Sequence, residues 1–144
     1  MNLAYAEKIN PAHQGMRLPD RYKEYAIKVD GKVVGEIKWT YRPKNAGGSA
    51  WQASFKIDTE GFRSRTVFNK DFKKLLVELR PAVEDEVRIW DREGPSIIAH
   101  RTRFKNEVAA LVAAGMSQNE AESEWHRLEN IRIYAEIDAA EIAQ

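Results

Sequence analysis

The sequence predicts an α+β protein: an N-terminal antiparallel sheet of three to four strands, covered by an amphipathic helix and followed by a C-terminal helical hairpin. Apolar residues alternate with a period of two in the first half, and from Phe72 they recur at helical spacing. A chain of 144 residues favours one domain, 1–144. Within it we expect an irregular N-terminal arm over 1–19, the sheet and its helix over 20–80, and a helical half over 81–144.

The first two predicted strands form a hairpin. Residues 25–29 alternate between apolar and small or charged side chains, and Asp30-Gly31 tolerates the left-handed conformation of a tight turn. A strict two-residue turn would pair Ile27 with Val34 and split the apolar residues between the two faces. A glycine bulge in the turn would instead pair Ile27 with Val33 and gather the apolar residues on one face, and we predict this register.

Two more strands are predicted after a flexible loop over 43–48. Every second residue of 51–57 is apolar, which predicts a strand that faces the core. The segment 62–68 is predicted to form the next strand, with its two phenylalanines facing the core and with Arg63 and Arg65 facing outwards. The outer face of the sheet should therefore lack exposed aromatic side chains.

The second half is predicted to be helical. A helix with an apolar stripe follows the sheet, and Pro81 should end or kink it. Residues 82–93 fit a helix better than the short strand that they could also form, and Gly94-Pro95 should break the chain. The last helix is predicted to begin at a capping box made by Ser117 and Glu120.

Charge is distributed unevenly along the chain. Residues 1–82 hold 16 Lys and Arg against 9 Asp and Glu, a net charge of +7, while residues 83–144 hold 7 against 13, a net charge of −6. The basic excess is expected on the outer face of the sheet, where it would suit an anionic partner. The candidate residues are Lys28, Lys38, Arg42, Lys44, Lys56, Arg63 and Arg65.

The first functional hypothesis is a non-enzymatic protein that binds nucleic-acid phosphates through this basic face. The layout resembles β-sheet DNA readers such as phage integrase arm-binding domains. The alternative is a small inhibitor or adaptor, of the type found in phages and mobile elements, that contacts a nucleic-acid-processing protein. Its contact surface would be the acidic last helix, with Glu120, Glu122, Glu124 and Glu129.

A third hypothesis comes from Pro19-Asp20 and Glu36-Ile37-Lys38, which resemble the motif of PD-(D/E)xK nucleases. In that family two carboxylates bind a divalent metal and the lysine activates water. The predicted hairpin, however, places Asp20 opposite Thr40, so the two carboxylates would lie roughly 13 Å apart, too far to share one ion. We therefore expect no metal, no cofactor and no catalytic residues.

Composition also bears on the compartment. The chain has no cysteine, which excludes disulfides and thiolate zinc sites. No apolar run approaches the roughly 18 residues of a membrane span, and the N-terminus lacks a signal-peptide pattern. These features favour a cytoplasmic protein without membrane contact, and they leave its oligomeric state open.

Overall fold

A computed structural model describes residues 1–13, 15, 19–58 and 63–143. The α+β class is confirmed, with one antiparallel sheet in the order β1-β2-β3-β4-β5 followed by two helices, but the sheet has five strands rather than three to four. Three short 3₁₀ helices occupy Pro11–His13, Asp20–Tyr22 and Lys44–Ala46. The main elements are β1 (Leu3–Glu7), β2 (Tyr25–Val29), β3 (Lys32–Thr40), β4 (Ala50–Phe55), β5 (Arg65–Asn69), α1 (Phe72–Ala113) and α2 (Gln118–Ile142).

The chain divides into two compact units, Met1–Gly94 and Pro95–Gln144. The first contains the sheet and the first part of α1. The second is a helical hairpin made by the remainder of α1 and by α2. The prediction of a single domain stays a prediction. No helix in the described part of the chain is both long enough and apolar enough to cross a membrane.

The additional strand, β1, lies in the segment that was predicted to be an irregular arm. It pairs antiparallel with β2, so that Leu3 lies opposite Val29 and Tyr5 opposite Ile27. Leu3 is buried in the core. The alternation over these five residues is short and its outer positions are alanines, which is why the local pattern did not identify a strand; pairing with the edge of β2 orders it.

The register of the β2–β3 hairpin differs from the predicted one. Asp30 and Gly31, both with positive φ, make a strict two-residue turn, because Val29 pairs with Lys32. A bulge then leaves Val34 without a paired residue in β2, and Ile27 pairs with Gly35. The bulge therefore lies in β3 rather than in the turn, and it turns Val34 into the core while Val33 is exposed.

Helix α1 covers the inner face of the sheet. Leu75, Leu79 and Val83 are completely buried against the inward residues of the strands. Phe72 contacts the ring of Trp51 at a centroid distance of 4.9 Å. The inward strand residues of the core are Leu3, Ile27, Val29, Val34, Ile37, Trp51, Ala53 and Phe55.

Helix α1 runs without interruption through residues 82–93, which confirms the helical prediction for this segment. The helix does not end at Pro81 or at Gly94-Pro95, so a predicted end at either position is wrong, whereas the predicted alternative of a kink at Pro81 stays a prediction. Proline at 81 removes the N–H that would bond the carbonyl of Val77, but Val77 is exposed, so water can satisfy that group. Gly94 provides space for the ring of Trp90, because a Cβ atom there would lie 2.9 Å from it.

The helical hairpin has its own small core. Val108 of α1 packs with Ala121 and Trp125 of α2, and Phe104 meets the Trp125 ring edge-on at 4.9 Å. The predicted capping box is confirmed: the Ser117 hydroxyl accepts a hydrogen bond from the Glu120 N–H, and the Glu120 carboxylate accepts one from the Ser117 N–H.

Candidate nucleic-acid interface

The outer face of the sheet presents three of the predicted basic residues. Strand pairing places Lys28 of β2 and Lys38 of β3 on this face, opposite the side that α1 covers. Lys56 directly follows β4 in the same alternation and is exposed, and its N–H donates to the Val34 carbonyl. The fourth lysine, Lys8, is one that the sequence interpretation missed, because it continues the unrecognised strand β1.

Lys8 and Lys38 converge on a single carboxylate. The Lys8 Nζ lies 2.8 Å from Glu36 Oε2, and the Lys38 Nζ lies 3.4 Å from Glu36 Oε1. The hydrogen bond from Lys8 holds the pKa of Glu36 below its usual value, with the charge of Lys38 adding to the effect. All three side chains are about two-fifths exposed. The group therefore keeps one net positive charge at the surface.

A row of hydrogen-bonded polar side chains crosses the same face. Thr40 donates to the Gln52 amide oxygen at 2.8 Å, and the Gln52 amide nitrogen donates to Ser54 at 2.9 Å. The Ser54 hydroxyl lies 3.3 Å from that of Thr66 in β5. These bonds fix the Gln52 side chain, and the hydroxyl groups that end the row are of the kind that contact phosphate oxygens in nucleic-acid complexes.

An aromatic side chain lies on the outer face, contrary to prediction. Because β5 pairs Val67 with Ala53, it is Val67 that faces the core and Phe68 that faces outwards. The Arg42 guanidinium lies over the Phe68 ring, 4.0 Å from its centroid, and its Nε donates to the Gly48 carbonyl. Phe62, the other phenylalanine predicted to face the core, lies outside the described residues.

Two further lysines lie in or next to the loop that carries Arg42 and Gly48. Lys44 is exposed in the 3₁₀ helix of the loop between β3 and β4. The Nζ of Lys70, which follows β5, lies beside Gly48 in the same loop. Lys70 was not among the predicted residues, because only the pairing of β4 with β5 brings it to this loop.

Arg63 and Arg65 do not belong to the outer face, and their predicted placement is wrong. Arg65 lies opposite Phe55 on the side of the sheet that faces α1. Its Nη1 lies 2.9 Å from Asp85 Oδ2, and the Arg63 Nε lies 2.9 Å from Glu86 Oε2. The hydrogen bond from Arg65 lowers the pKa of Asp85. Both arginines therefore link the edge of the sheet to α1.

The acidic residues of α2 are largely engaged within the hairpin. Glu129 is buried and accepts hydrogen bonds from Arg103, at 2.7 and 2.8 Å, and from Arg132. These bonds lower its pKa to about 2. The other three bond to neighbours on their own helix or its cap: Glu120 to Ser117, Glu122 to Gln118 and Glu124 to Arg127.

The nuclease-like residues do not form a metal-binding cluster. The Asp20 carboxylate pairs with Lys23 at 3.3 Å, whereas Glu36 is held between its two lysines. Among the residues for which coordinates are described, no group of three His, Asp or Glu side chains could hold a metal ion. Of this motif, Glu36 and Lys38 thus contribute charge to the outer face, without a ligand set for a cation.

Comparison with known proteins adds no further functional information. No family model, curated protein or solved structure matches the chain. The functional conclusion therefore depends on the charges and contacts of the outer sheet face.

Proposed function

We propose that this protein binds nucleic acid through the outer face of its sheet, and that this face contacts phosphate groups without catalysing a reaction on them. The observation that supports the proposal is the set of partly or fully exposed lysines on one side of the sheet, with Glu36 as the carboxylate between two of them. We name this surface the lysine face; it consists of Lys8, Lys28, Lys38 and Lys56, with Arg42, Lys44 and Lys70 at its border.

The spacing of these lysines suits an extended anionic chain. Residues two strands apart in a sheet are separated by about 10 Å, which applies to Lys28 of β2 and Lys56 after β4. Lys38 lies about 13 Å further along the strand direction. A nucleic-acid backbone that crosses the sheet would therefore meet several ammonium groups, while the row from Thr40 to Thr66 would offer hydroxyl groups between them.

Glu24 and Glu36 reduce the positive field, and Arg63 and Arg65 do not add to it. We therefore expect a smaller number of phosphate contacts than the sequence alone suggested. Four contacts by the lysines of the face would make log affinity for duplex DNA fall with log salt at a slope of about −3.6. Binding should be weak at physiological salt and strong at low salt.

The test is fluorescence anisotropy with labelled duplex and single-stranded oligonucleotides over a salt series. The variant Lys28→Gln/Lys38→Gln/Lys56→Gln should lower affinity and should reduce the magnitude of the duplex slope by about 2.7. A matched control removes the same charge from exposed helix lysines, in Lys73→Gln/Lys74→Gln/Lys105→Gln. This control should retain the slope of the unmodified protein.

Two results would contradict the proposal. One is the absence of oligonucleotide binding at low salt, and the other is an equal loss of slope in the two triple variants, which would indicate a general charge effect. The adaptor hypothesis stays a prediction. It would be favoured if the protein formed a complex with a defined protein partner that persisted after nuclease treatment. That partner should bind the lysine variant with normal affinity and should bind the variant Glu122→Gln/Glu124→Gln more weakly.

A further inference from the structure

Helix α2 has an apolar surface on the side that faces away from its partner helix. Trp125 packs against α1, and Tyr134 lies nine residues later, which is half a turn out of phase at about 100° per residue. Ile131, Tyr134 and Ile137 are 55%, 67% and 47% exposed. A helix that packed only within this hairpin would place polar residues there, whereas these three residues leave about half or more of their surface open to solvent.

Opposite charges flank this apolar surface at its two ends. Arg127, Tyr134 and Glu141 are spaced by seven residues and therefore share one face of the helix. Arg127 stands about one turn before Ile131, and Glu141 stands about one turn after Ile137. The order along the face is thus basic, apolar, acidic, and Asp138, about 40° from Tyr134 around the helix, adds a second carboxylate to the acidic half. We name this the α2 outer face; it consists of Arg127, Ile131, Tyr134, Ile137, Asp138 and Glu141.

Two copies of this face are complementary to each other when their helices run antiparallel. In two antiparallel copies of α2 related by a two-fold axis near Tyr134, Ile131 of one copy would lie near Ile137 of the second. Arg127 would lie near Glu141 of the second copy, and the symmetry would repeat each contact. A parallel arrangement would instead bring like charges together.

We propose that the α2 outer face is the interface of an antiparallel homodimer. The partner is a second copy of this chain, because in the antiparallel arrangement each Arg127 lies near a Glu141 and each Ile131 lies near an Ile137. The face is formed by one helix only, so it is smaller than the roughly 800 Å² per partner of a standard stable interface. The dimer is therefore weak and depends on protein concentration.

The first experiment is sedimentation equilibrium of the full chain over a concentration series up to about 1 mM, a range suited to an interface below standard size. Ile131→Lys should raise the dissociation constant about tenfold or more, because it places a charge in an apolar contact that occurs twice. Ile98→Lys is the matched control, since Ile98 is also about half exposed but lies on α1. It should leave the dissociation constant unchanged.

The second experiment exchanges the charges of the face. Arg127→Glu and Glu141→Arg should each weaken the dimer about fivefold, and the double variant should restore it. Within one chain the two residues are 14 positions apart, about 21 Å along the helix, so coupling between them at physiological salt must act between molecules. Because Arg127 also pairs with Glu124, circular dichroism of each variant confirms that α2 is still helical.

A monomer at every concentration would overturn the proposal. A dimer whose dissociation constant is unaffected by Ile131→Lys, or whose charge variants show no coupling, would also overturn it, because the interface would then lie elsewhere. If Ile131→Lys does not fold, the charge exchange decides the question alone, since it leaves the apolar residues in place.

Discussion

Substitution of Gly35 by alanine tests the register of the sheet directly. Gly35 lies opposite Phe55 in β4 and opposite Ile27 in β2. Its φ is not in the left-handed region, so the backbone conformation itself accepts alanine. The added Cβ would, however, lie 2.1 Å from the Ser54 carbonyl oxygen and 2.6 Å from the Phe55 Cβ. Alanine at 35 therefore requires the two strands to move apart.

The size of the effect follows from these distances. Ordinary contact begins at 3.4 Å, so β3 and β4 must separate by about 1 Å at this point. The obstructing atoms belong to backbone and to a buried side chain, which cannot rotate away. Overpacking of this kind destabilises proteins by about 1–3 kcal/mol or more, and we expect about 3 kcal/mol here. For a chain of this size that lowers Tm by about 6–12 °C.

The assay is thermal unfolding followed by near-ultraviolet circular dichroism, which reports the packing of the aromatic core. Gly31→Ala is the control, because Gly31 has a φ of 81° but no atom within 4 Å of the added Cβ. The free energy of unfolding of this control should fall by only about 1–2 kcal/mol, because of backbone strain. If Gly35→Ala unfolds at the same temperature as Gly31→Ala or higher, Gly35 does not face Phe55, and the assignment of Lys38 to the outer face would be wrong as well.

Three other substitutions test the remaining parts of the structure. Leu79→Ala removes a completely buried side chain between α1 and the sheet, and should lower the free energy of unfolding by about 2–5 kcal/mol in urea titrations. Ser117→Ala removes the cap of α2 and should lower the stability of the hairpin by about 1 kcal/mol, measured in the same way. The pKa of Glu129 is lowered from 4.5 to about 2 by the hydrogen bonds from Arg103 and Arg132, so its carboxylate stabilises the hairpin above pH 4.5 and this contribution declines as the pH falls towards 2. Trp125 fluorescence against pH should show that decline, and Glu129→Gln should remove it.

Each of these expectations has a contrary outcome. Leu79→Ala with unchanged stability would mean that α1 does not pack on the sheet at that position. Ser117→Ala without effect would mean that the cap is not formed in solution. If the unmodified protein and Glu129→Gln lose the same stability between pH 4.5 and 2, the acid sensitivity comes from other carboxylates.

Much of the secondary structure could be predicted because it depends on local patterns. The period-two alternation of Trp51, Ala53 and Phe55 identified β4 and its core face. The helical stripe identified α1 up to Pro81, and the spacing of Ser117 and Glu120 identified the start of α2. In each case the residues that determine the structure are separated by only a few positions in the chain.

The charged surface was only partly predictable, because its composition depends on pairing between distant residues. Lys28 and Lys38 could be assigned from the alternation of their own strands. Lys8 required the recognition of β1, and Lys70 required the pairing of β4 with β5. Arg63 was assigned to the wrong surface, because its partner Glu86 is on α1 and the local sequence contains no sign of that contact.

The sequence by itself determined the α+β class, the position of the hairpin turn at Asp30-Gly31 and the capping box, since these follow from periodicity, backbone conformation and local hydrogen bonding. The tertiary structure decided the position of the bulge at Val34 and the face on which Phe68 lies. Both depend on which of two adjacent residues in a strand is buried against the core. A shift of one residue in the pairing exchanges the two faces of a strand. That exchange moved Arg65 from the expected basic surface to an ion pair with α1, and it left the lysine face as the anion-binding surface that we propose.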